Sequence, residues 1–432
     1  MDIHADGSYY SPMTKPVRMK ELFRFWIPLQ ATWLMMSLEG PFLAAVIARL
    51  AEPKHNLAAY GVAFALAILV EAPVIMMMSA STALVDSAGI YRRLRNFMWM
   101  LNVGITVAML LLLFTPLWSL LTDTWMGLDN EVARLTRVSL YILLPWPAAI
   151  GYRRFYQGLL IRNGLTRRVA WGTMIRLISM IVTAVISRAA GLSGAWVGAA
   201  ALTGGVCTEA VASRLMAAGI VRGYLGKPSD DVLGYREIIH FYLPLALTST
   251  IALAVQPTVT FFMGQARFSL ESLAVLPVIN SLVFIFRSPG LSYQEAAITM
   301  LGRDWNNFRV VRNFAILLGL GSTVGLALIA WTPLAGVWLR TISGLTVELA
   351  DFAMTPIRVL TLMPMLSVML SFQRSLLVAR RATGPITWAS AIEVAGILAV
   401  LYITIRMGDW IGATAAATAF MTGRLMSNIF LI

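Results

Sequence analysis

Lys20-Glu21-Leu22-Phe23-Arg24-Phe25-Trp26-Ile27-Pro28-Leu29 opens an apolar stretch that runs to Glu39-Gly40-Pro41. The same design returns 216 residues later as Arg236-Glu237-Ile238-Ile239-His240-Phe241-Tyr242-Leu243-Pro244-Leu245, and it runs to Gln256-Pro257. Pro28 corresponds to Pro244 and Pro41 to Pro257, with no gap between them. A proline inside an apolar helix removes a backbone hydrogen bond and crowds the preceding turn. In a bilayer that bend is tolerated where neighbouring helices or a wet cavity satisfy the freed carbonyl. Bends at matched places in two halves point to a site between repeats. Pro28, Pro41, Pro244 and Pro257 are therefore expected to mark functional helix kinks.

Composition agrees with a membrane setting. Apolar residues fill 58% of the 432 positions, charged residues fill 13%, and mean hydropathy is +0.75. A water-soluble domain carries about 25% charged residues, so the chain reads as an all-α integral membrane protein. The formal charge of +13 does not imply nucleic acid. The basic residues sit in short loops between apolar runs, where they record orientation. His4, His55 and His240 are scattered and Cys207 stands alone. Neither a metal site nor an intrachain disulfide is expected, and no cofactor is implied.

A crossing helix takes about 20 apolar residues. About twelve spans are read, near 21–50, 57–89, 95–122, 132–161, 168–189, 192–221, 236–265, 270–301, 308–338, 347–379, 384–406 and 410–432. The expected organisation is an N-terminal segment 1–20, a first lobe 21–223, a polar linker 224–235 and a second lobe 236–432. Met1 to Lys20 lacks the apolar core of a signal peptide and is expected to be cytoplasmic. Alternate loops divide the basic residues unequally. One side collects 18 Lys/Arg, among them Lys15, Arg92, Arg222, Lys227, Arg303 and Arg381. The other collects 8: Arg49, Lys54, Arg134, Arg137, Arg188, Arg267, Arg340 and Arg406. The positive-inside rule then places both termini in the cytoplasm. The expected home is a bacterial inner membrane.

The repeat continues beyond the first helix. Ala72-Pro73 matches Ser288-Pro289 at an offset of 216, Arg95-Asn96-Phe97 matches Arg312-Asn313-Phe314 at 217, and Trp171 matches Trp388 at 217. Gly194-Ala195 matches Gly412-Ala413 at 218, and Thr203-Gly204 matches Thr422-Gly423 at 219. Ordered matches of rare residues with so little drift indicate a duplicated six-helix unit. Six spans return the chain to the same side, so the two lobes are parallel, related by a pseudo-twofold axis normal to the membrane.

Charges within a bilayer usually face a bundle interior or a wet cavity. Glu39, Glu71, Arg287 and Arg358 are the leading candidates for substrate or ion contacts, with Glu295, Glu393 and Glu209 behind them. Glu39 sits two residues before Pro41 and could load a proton or sodium ion. Glu71 and Arg287 are repeat equivalents and are expected to line the space between lobes, as a gate pair or as ligand contacts; satisfaction of each within its own lobe is the even alternative. Arg358 lies on the span carrying Pro356 and Pro364, where its guanidinium could fork onto carboxylate or phosphate; an ion pair with Glu393 competes. Arg153, Arg154 and Arg374 lie towards span ends and read as snorkelling side chains. Arg424 approaches the C-terminus. Glu209 and Arg214, five apart, do not share a face well.

The doubled six-helix plan with bent first and seventh helices resembles the multidrug/oligosaccharidyl-lipid/polysaccharide (MOP) flippase superfamily, which includes the multidrug and toxic compound extrusion (MATE) transporters. Within it, Leu57-Ala58-Ala59-Tyr60-Gly61-Val62-Ala63-Phe64-Ala65-Leu66, His240-Phe241-Tyr242-Leu243-Pro244-Leu245-Ala246-Leu247 and Pro356-Ile357-Arg358-Val359-Leu360 resemble the progressive ankylosis proteins. That resemblance implies export of anions such as citrate and pyrophosphate. The expected function is a secondary active exporter, coupled to H+ or Na+, acting as a monomer on a small organic substrate. A MATE-type organic-cation antiporter and a lipid-linked saccharide flippase are the alternatives. A membrane-embedded transferase has only Asp230-Asp231 to recommend it, and no enzyme is expected. No Gly-x-x-x-x-Gly-Lys-Ser/Thr loop is present to supply ATP chemistry.

Overall fold

A computed structural model describes residues 18–226, 233–301, 306–380 and 384–432. Most of the N-terminal segment with Lys15, most of the linker with Lys227, Asp230 and Asp231, and also Arg303 and Arg381 lie outside the described residues.

The first half runs through α1 (Met19–Ser37), α2 (Glu39–Ala48), α3 (Pro53–Glu71), a 3-10 turn (Ala72–Val74), α4 (Met77–Leu84), α5 (Ala88–Phe114) and α6 (Leu117–Ser119). A π-helical turn (Leu120–Trp125) then leads to α7 (Asn130–Ile142), α8 (Trp146–Arg162), α9 (Thr166–Ala189), α10 (Gly194–Met216) and α11 (Ala218–Leu225). The second half runs through α12 (Tyr235–Leu253), α13 (Val255–Gly264), α14 (Ser269–Met300), α15 (Phe308–Trp331), α16 (Leu334–Gly336), a π-helical turn (Val337–Ile342) and α17 (Val347–Val359). It ends with α18 (Met363–Ala379), α19 (Gly384–Leu401) and α20 (Gly412–Phe430).

The described residues are helical, and ten of their helical stretches are long and apolar enough to cross a membrane. The other two expected spans exist as helices of a different character. The 132–161 stretch divides into α7 and α8 around Leu143-Leu144-Pro145. The 410–432 stretch forms α20, whose Ala- and Thr-rich sequence carries less apolar bulk.

The halves share local geometry as well as sequence. α1 and α12 have 19 residues each, α2 and α13 have 10, α7 and α17 have 13, and α8 and α18 have 17. Glu21 accepts a hydrogen bond from the Arg18 backbone N–H, as Glu237 does from that of Gly234. Glu52 and Phe268, both left-handed, introduce α3 and α14. Asn56 accepts from the Ala195 N–H at 2.8 Å, and its equivalent Ser272 accepts from that of Ala413 at 3.0 Å.

The helix breaks lie where the prolines put them. Pro41 has no N–H for Ser37 and its ring crowds that turn; α1 ends at Ser37. Pro257 does the same to Leu253, where α12 ends. The hinges are thus Leu38 and Ala254. Pro28 and Pro244 lie inside α1 and α12, which continue through them. Pro73 breaks the third helix while its equivalent Pro289 lies inside the unbroken α14. The carbonyls at the Pro73 break find donors in the other half: Ser249 Oγ donates to Ala72 O at 2.8 Å and Tyr242 Oη to Pro73 O at 2.6 Å.

Those bonds belong to a crossed arrangement. α12, first helix of the second half, packs on the 3-10 turn, α3 and α5 of the first half. α1, first helix of the first half, packs on α14 and α15 of the second. Leu22 and Trp26 are buried there with Tyr293, Phe314 and Val368. Trp26 Nε1 donates to Ser292 Oγ at 2.8 Å, from the position equivalent to Tyr242. α3 and α14 meet along the middle and complete a core shared by both halves.

Candidate functional site

Each half buries its own set of charges. In the first half, Glu209 of α10 lies fully buried. Its Oε2 accepts from Arg153 of α8, its Oε1 accepts from Gln157 Nε2 at 3.0 Å, and Arg176 Nε of α9 approaches it at 3.6 Å. Arg176 also donates to Oε1 of Glu39, the first residue of α2. Arg153 and Arg176 are only 5% and 9% exposed. Charges so deep are sustained by being paired and hydrogen-bonded. The pairing ties the hinge at Leu38 to α8, α9 and α10.

Glu71 ends α3, just before the Pro73 break, and is 7% exposed. Its neighbours in charge are Arg153, Arg154 and Arg176. Its Oε2 is buried and takes no hydrogen bond. With Glu39 and Glu209 this gives three carboxylates beside three guanidiniums, so the first-half cluster is balanced.

The second half uses the same positions with other residues. Arg287 of α14 donates from Nε to Ser367 Oγ of α18 at 3.2 Å. Arg374 of α18 donates to Ser390 Oγ of α19 at 3.1 Å. Glu393 of α19 pairs with Arg424 of α20 at 2.8 Å. Arg287 and Arg374 both feel the charges of Arg424 and Glu393. By the repeat offsets, Arg287 stands where the first half has Glu71, Glu393 where it has Arg176, Arg374 where it has Gln157, and Arg424 where it has Gly205. Asn428 replaces Glu209 and Val255 replaces Glu39.

Several expectations change on this geometry. No ion pair joins Glu71 to Arg287; each has its charged neighbours within its own half. Arg358 is exposed, lies over the Trp331 ring at 5.2 Å and donates to Ala330 O at 3.3 Å, apart from both clusters. It does not pair with Glu393. Glu295 is exposed on α14. Arg153 does not snorkel; it is buried against Glu209. Arg374 and Arg424 likewise turn inward to α19. Arg214, as its spacing from Glu209 suggests, points away from that carboxylate and lies over the Tyr156 ring at 5.2 Å. Position along a span thus hides the roles of Arg153, Arg374 and Arg424, and Arg176 joins them at the first-half cluster. Extending the repeat alignment to Arg176 and Glu393 would have exposed the reversed charges.

A third group of contacts joins the halves at the end where α2 and α13 finish. Arg49 Nη2 donates to the carbonyls of Thr341 at 2.5 Å and Ile342 at 2.7 Å. Gln265 Nε2 donates to the carbonyl of Trp125. Gln265 is the repeat equivalent of Arg49, and Trp125 is that of Ile342, so the contact is reciprocal. The acceptors close the two π-helical turns, where the last carbonyls have no donor within the helix. Lys54 of α3 pairs with Glu271 of α14 at 2.6 Å at the same end. The Gly127 and Gly344 turns, with φ of +61° and +75°, follow the two π segments. A Cβ on Gly264 would stand 2.4 Å from the Met126 carbonyl oxygen, so backbone meets backbone there.

No family model and no curated protein matches the sequence. Solved structures do match the fold. An inward-facing multidrug resistance MATE family transporter of the MOP superfamily superposes with a TM-score of 0.74 at 14% identity, covering 92% of both chains. The lipid II flippase MurJ, in an inward closed conformation, gives 0.67 at 15% identity, over 93% of this chain and 86% of that one. A MOP superfamily transporter from Pyrococcus furiosus, described by a reversed polarity of its binding pocket, gives 0.67 at 17% identity, over 95% and 93%. The chain therefore has the MATE/MOP-like two-lobe fold. Among the described residues no group of three or more His, Cys, Asp or Glu is placed to hold a metal ion.

Proposed function

We propose that this chain is a secondary active transporter working by alternating access between two six-helix lobes, 21–223 and 236–432, joined by the 224–235 linker. In this reading α7 with α8, and α20, complete twelve crossings. The pseudo-twofold axis runs along the membrane normal, both termini are cytoplasmic, and the chain acts as a monomer in a bacterial inner membrane. The end held by Arg49 and Gln265 is then the outer gate, closed, and the substrate path opens towards the cytoplasm.

One observation carries the reading: equivalent hinges at Leu38 and Ala254 accompany reciprocal cross-half bonds just past the ends of the two hinged helices, from Arg49 and Gln265. Two rigid halves, hinged lead helices and a separable set of polar end contacts are what a rocking motion requires. A ligand drives such a motion through its different affinity for the two facing states. Glu39, at the hinge, and Glu71, with an unsatisfied oxygen, are the groups through which H+ or Na+ would couple.

The favoured substrate is a small organic anion of the citrate or pyrophosphate kind, exported from the cytoplasm. Support comes from the excess of arginine in the second-half cluster and from the sequence resemblance to progressive ankylosis proteins. The reversed pocket polarity described for the Pyrococcus protein is a precedent within the fold. A second reading, an organic-cation antiporter, is favoured by the buried Glu71 oxygen that lacks a donor.

Uptake of labelled citrate, pyrophosphate and a cationic dye into proteoliposomes, under imposed proton and sodium gradients, tests both. Anion flux that collapses in Arg287→Ala supports the favoured reading. Dye flux that requires Glu39 or Glu71 transfers the protein to the cation branch. Absence of both fluxes from well-folded protein removes the small-solute reading and leaves a lipid-linked substrate.

A further inference from the structure

The two interior clusters share two charged repeat positions, Glu71/Arg287 and Arg176/Glu393, and carry different net charge. The first holds Glu39, Glu71 and Glu209 against Arg153, Arg154 and Arg176, and it is neutral. Among the described residues the second holds Arg287, Arg374 and Arg424 against Glu393, an excess of two positive charges. Its side chains come from four helices of one half, α14, α18, α19 and α20. Nε of Arg374 and Nε of Arg424 are buried without a hydrogen-bond partner, as are those of Arg153, Arg154 and Arg176 in the first half, so net charge and not a free Nε sets the second cluster apart. Arg424 and Glu393 each keep 14% of their side-chain surface open.

Unpaired guanidiniums inside a low-dielectric bundle are costly, and nearby opposite charge relieves the cost. We infer that the Arg287–Arg374–Arg424 cluster is a binding site for a small oxyanion of charge −2, a dicarboxylate or a phosphate. Three observations set that class. The charge needed is two. The donors are planar N–H forks, which match carboxylate and phosphate oxygens in bidentate fashion and favour them over a halide. Hydroxyls of Ser367 and Ser390 already hold Arg287 and Arg374, and so orient two of the forks.

Glu393 acts here as the resident competitor. It occupies part of Arg424 when the site is empty, and an incoming dianion exchanges with it. This carboxylate makes affinity moderate, as a transporter needs if it is to release its cargo. Arg358 has no part in the site. The role of the site rests on the anion-transport reading above, but binding is measurable without transport.

The test is calorimetric titration of the full-length protein, exchanged into phosphate-free neutral detergent, with inorganic phosphate and with succinate. Tetraethylammonium chloride serves as the cationic control. The wild-type protein is expected to bind both dianions and not the cation. Arg287→Gln and Arg374→Gln are each expected to weaken binding about tenfold. Arg374→Gln installs the residue the first half already carries at that position, Gln157, so it is a mild change to the packing. Glu393→Gln is expected to tighten binding several-fold by removing the competitor, which loss of a merely structural ion pair would not do. Titration in nanodiscs of anionic against zwitterionic lipid separates a lipid phosphate from a soluble ligand: weaker succinate binding in the anionic discs would assign the site to headgroups and overturn a soluble cargo. Failure of the folded wild-type protein to bind either dianion would overturn the site, as would binding indifferent to Arg287→Gln, Arg374→Gln and Glu393→Gln. Dianion binding without flux in proteoliposomes would sink the transport reading alone.

Discussion

Removing the reciprocal bonds of Arg49 and Gln265 should open the end of the molecule that they hold. Arg49 makes two cross-half bonds, to Thr341 and Ile342, and Gln265 makes one, to Trp125. Hydrogen bonds from charged donors contribute about 1.5–3 kcal/mol when shielded, while exposed ionic contacts contribute about 0–1. Arg49 is exposed, so a value of about 1 kcal/mol per bond is appropriate. Arg49→Ala then costs the closed end about 2 kcal/mol and Gln265→Ala about 1 kcal/mol. At about 1.4 kcal/mol per decade these shift the open-to-closed ratio roughly 30-fold and roughly fivefold. The residues share no acceptor, so the effects should add, to roughly 150-fold in the double variant. An end open in about 1% of wild-type molecules would be open in roughly 60%. The assay is pulsed electron–electron distance measurement in nanodiscs, with spin labels at Asp123→Cys and Arg340→Cys in a Cys207→Ser background. These positions are repeat equivalents, one on each π-helical turn. Arg134→Ala is the control, because its pair with Glu131 lies within one helix. An unchanged distance distribution in the folded double variant would refute the assignment of these bonds to a gate.

Other perturbations address the parts that frame this gate. Gly264→Ala places a Cβ against the Met126 carbonyl, where neither backbone can yield cheaply; the same distance measurement should show the end pried apart. Glu209→Ala strands Arg153 in the interior, while Arg176 keeps Glu39, and should cost about 3–5 kcal/mol, read as a marked fall in the thermal midpoint of the purified protein. Tyr242→Phe and Ser249→Ala each remove a donor from a carbonyl freed at the Pro73 break. Each should cost about 1–3 kcal/mol, and hydrogen exchange should rise locally across residues 69–77.

The fold was legible because its signals are local and are stated twice. Pro41 and Pro257 act on the turn just before them, so their effect on Ser37 and Leu253 needs no knowledge of tertiary structure. Apolar span length follows from bilayer thickness in the same way. What could not be read was which side chains meet. Arg153 looked like a snorkelling residue because position along a helix fixes depth but not azimuth, and its azimuth faces Glu209 on a helix some fifty residues later. The crossed packing of α1 and α12 was hidden for a related reason: duplication says that two helices are alike, not which half each one leans on. Arg358, between two prolines, is exposed and lies over the ring of Trp331 on the neighbouring helix, apart from both clusters. Where a duplicated position stays within the bundle but reverses its charge, as at Glu71 and Arg287 or Arg176 and Glu393, packing alone gives no reason for the reversal. Each reversal must be matched by a partner that also changed. In the first half the partners are present, and the charges cancel. In the second, among the described residues, Glu393 faces Arg287, Arg374 and Arg424, and that imbalance is what the proposed dianion would answer.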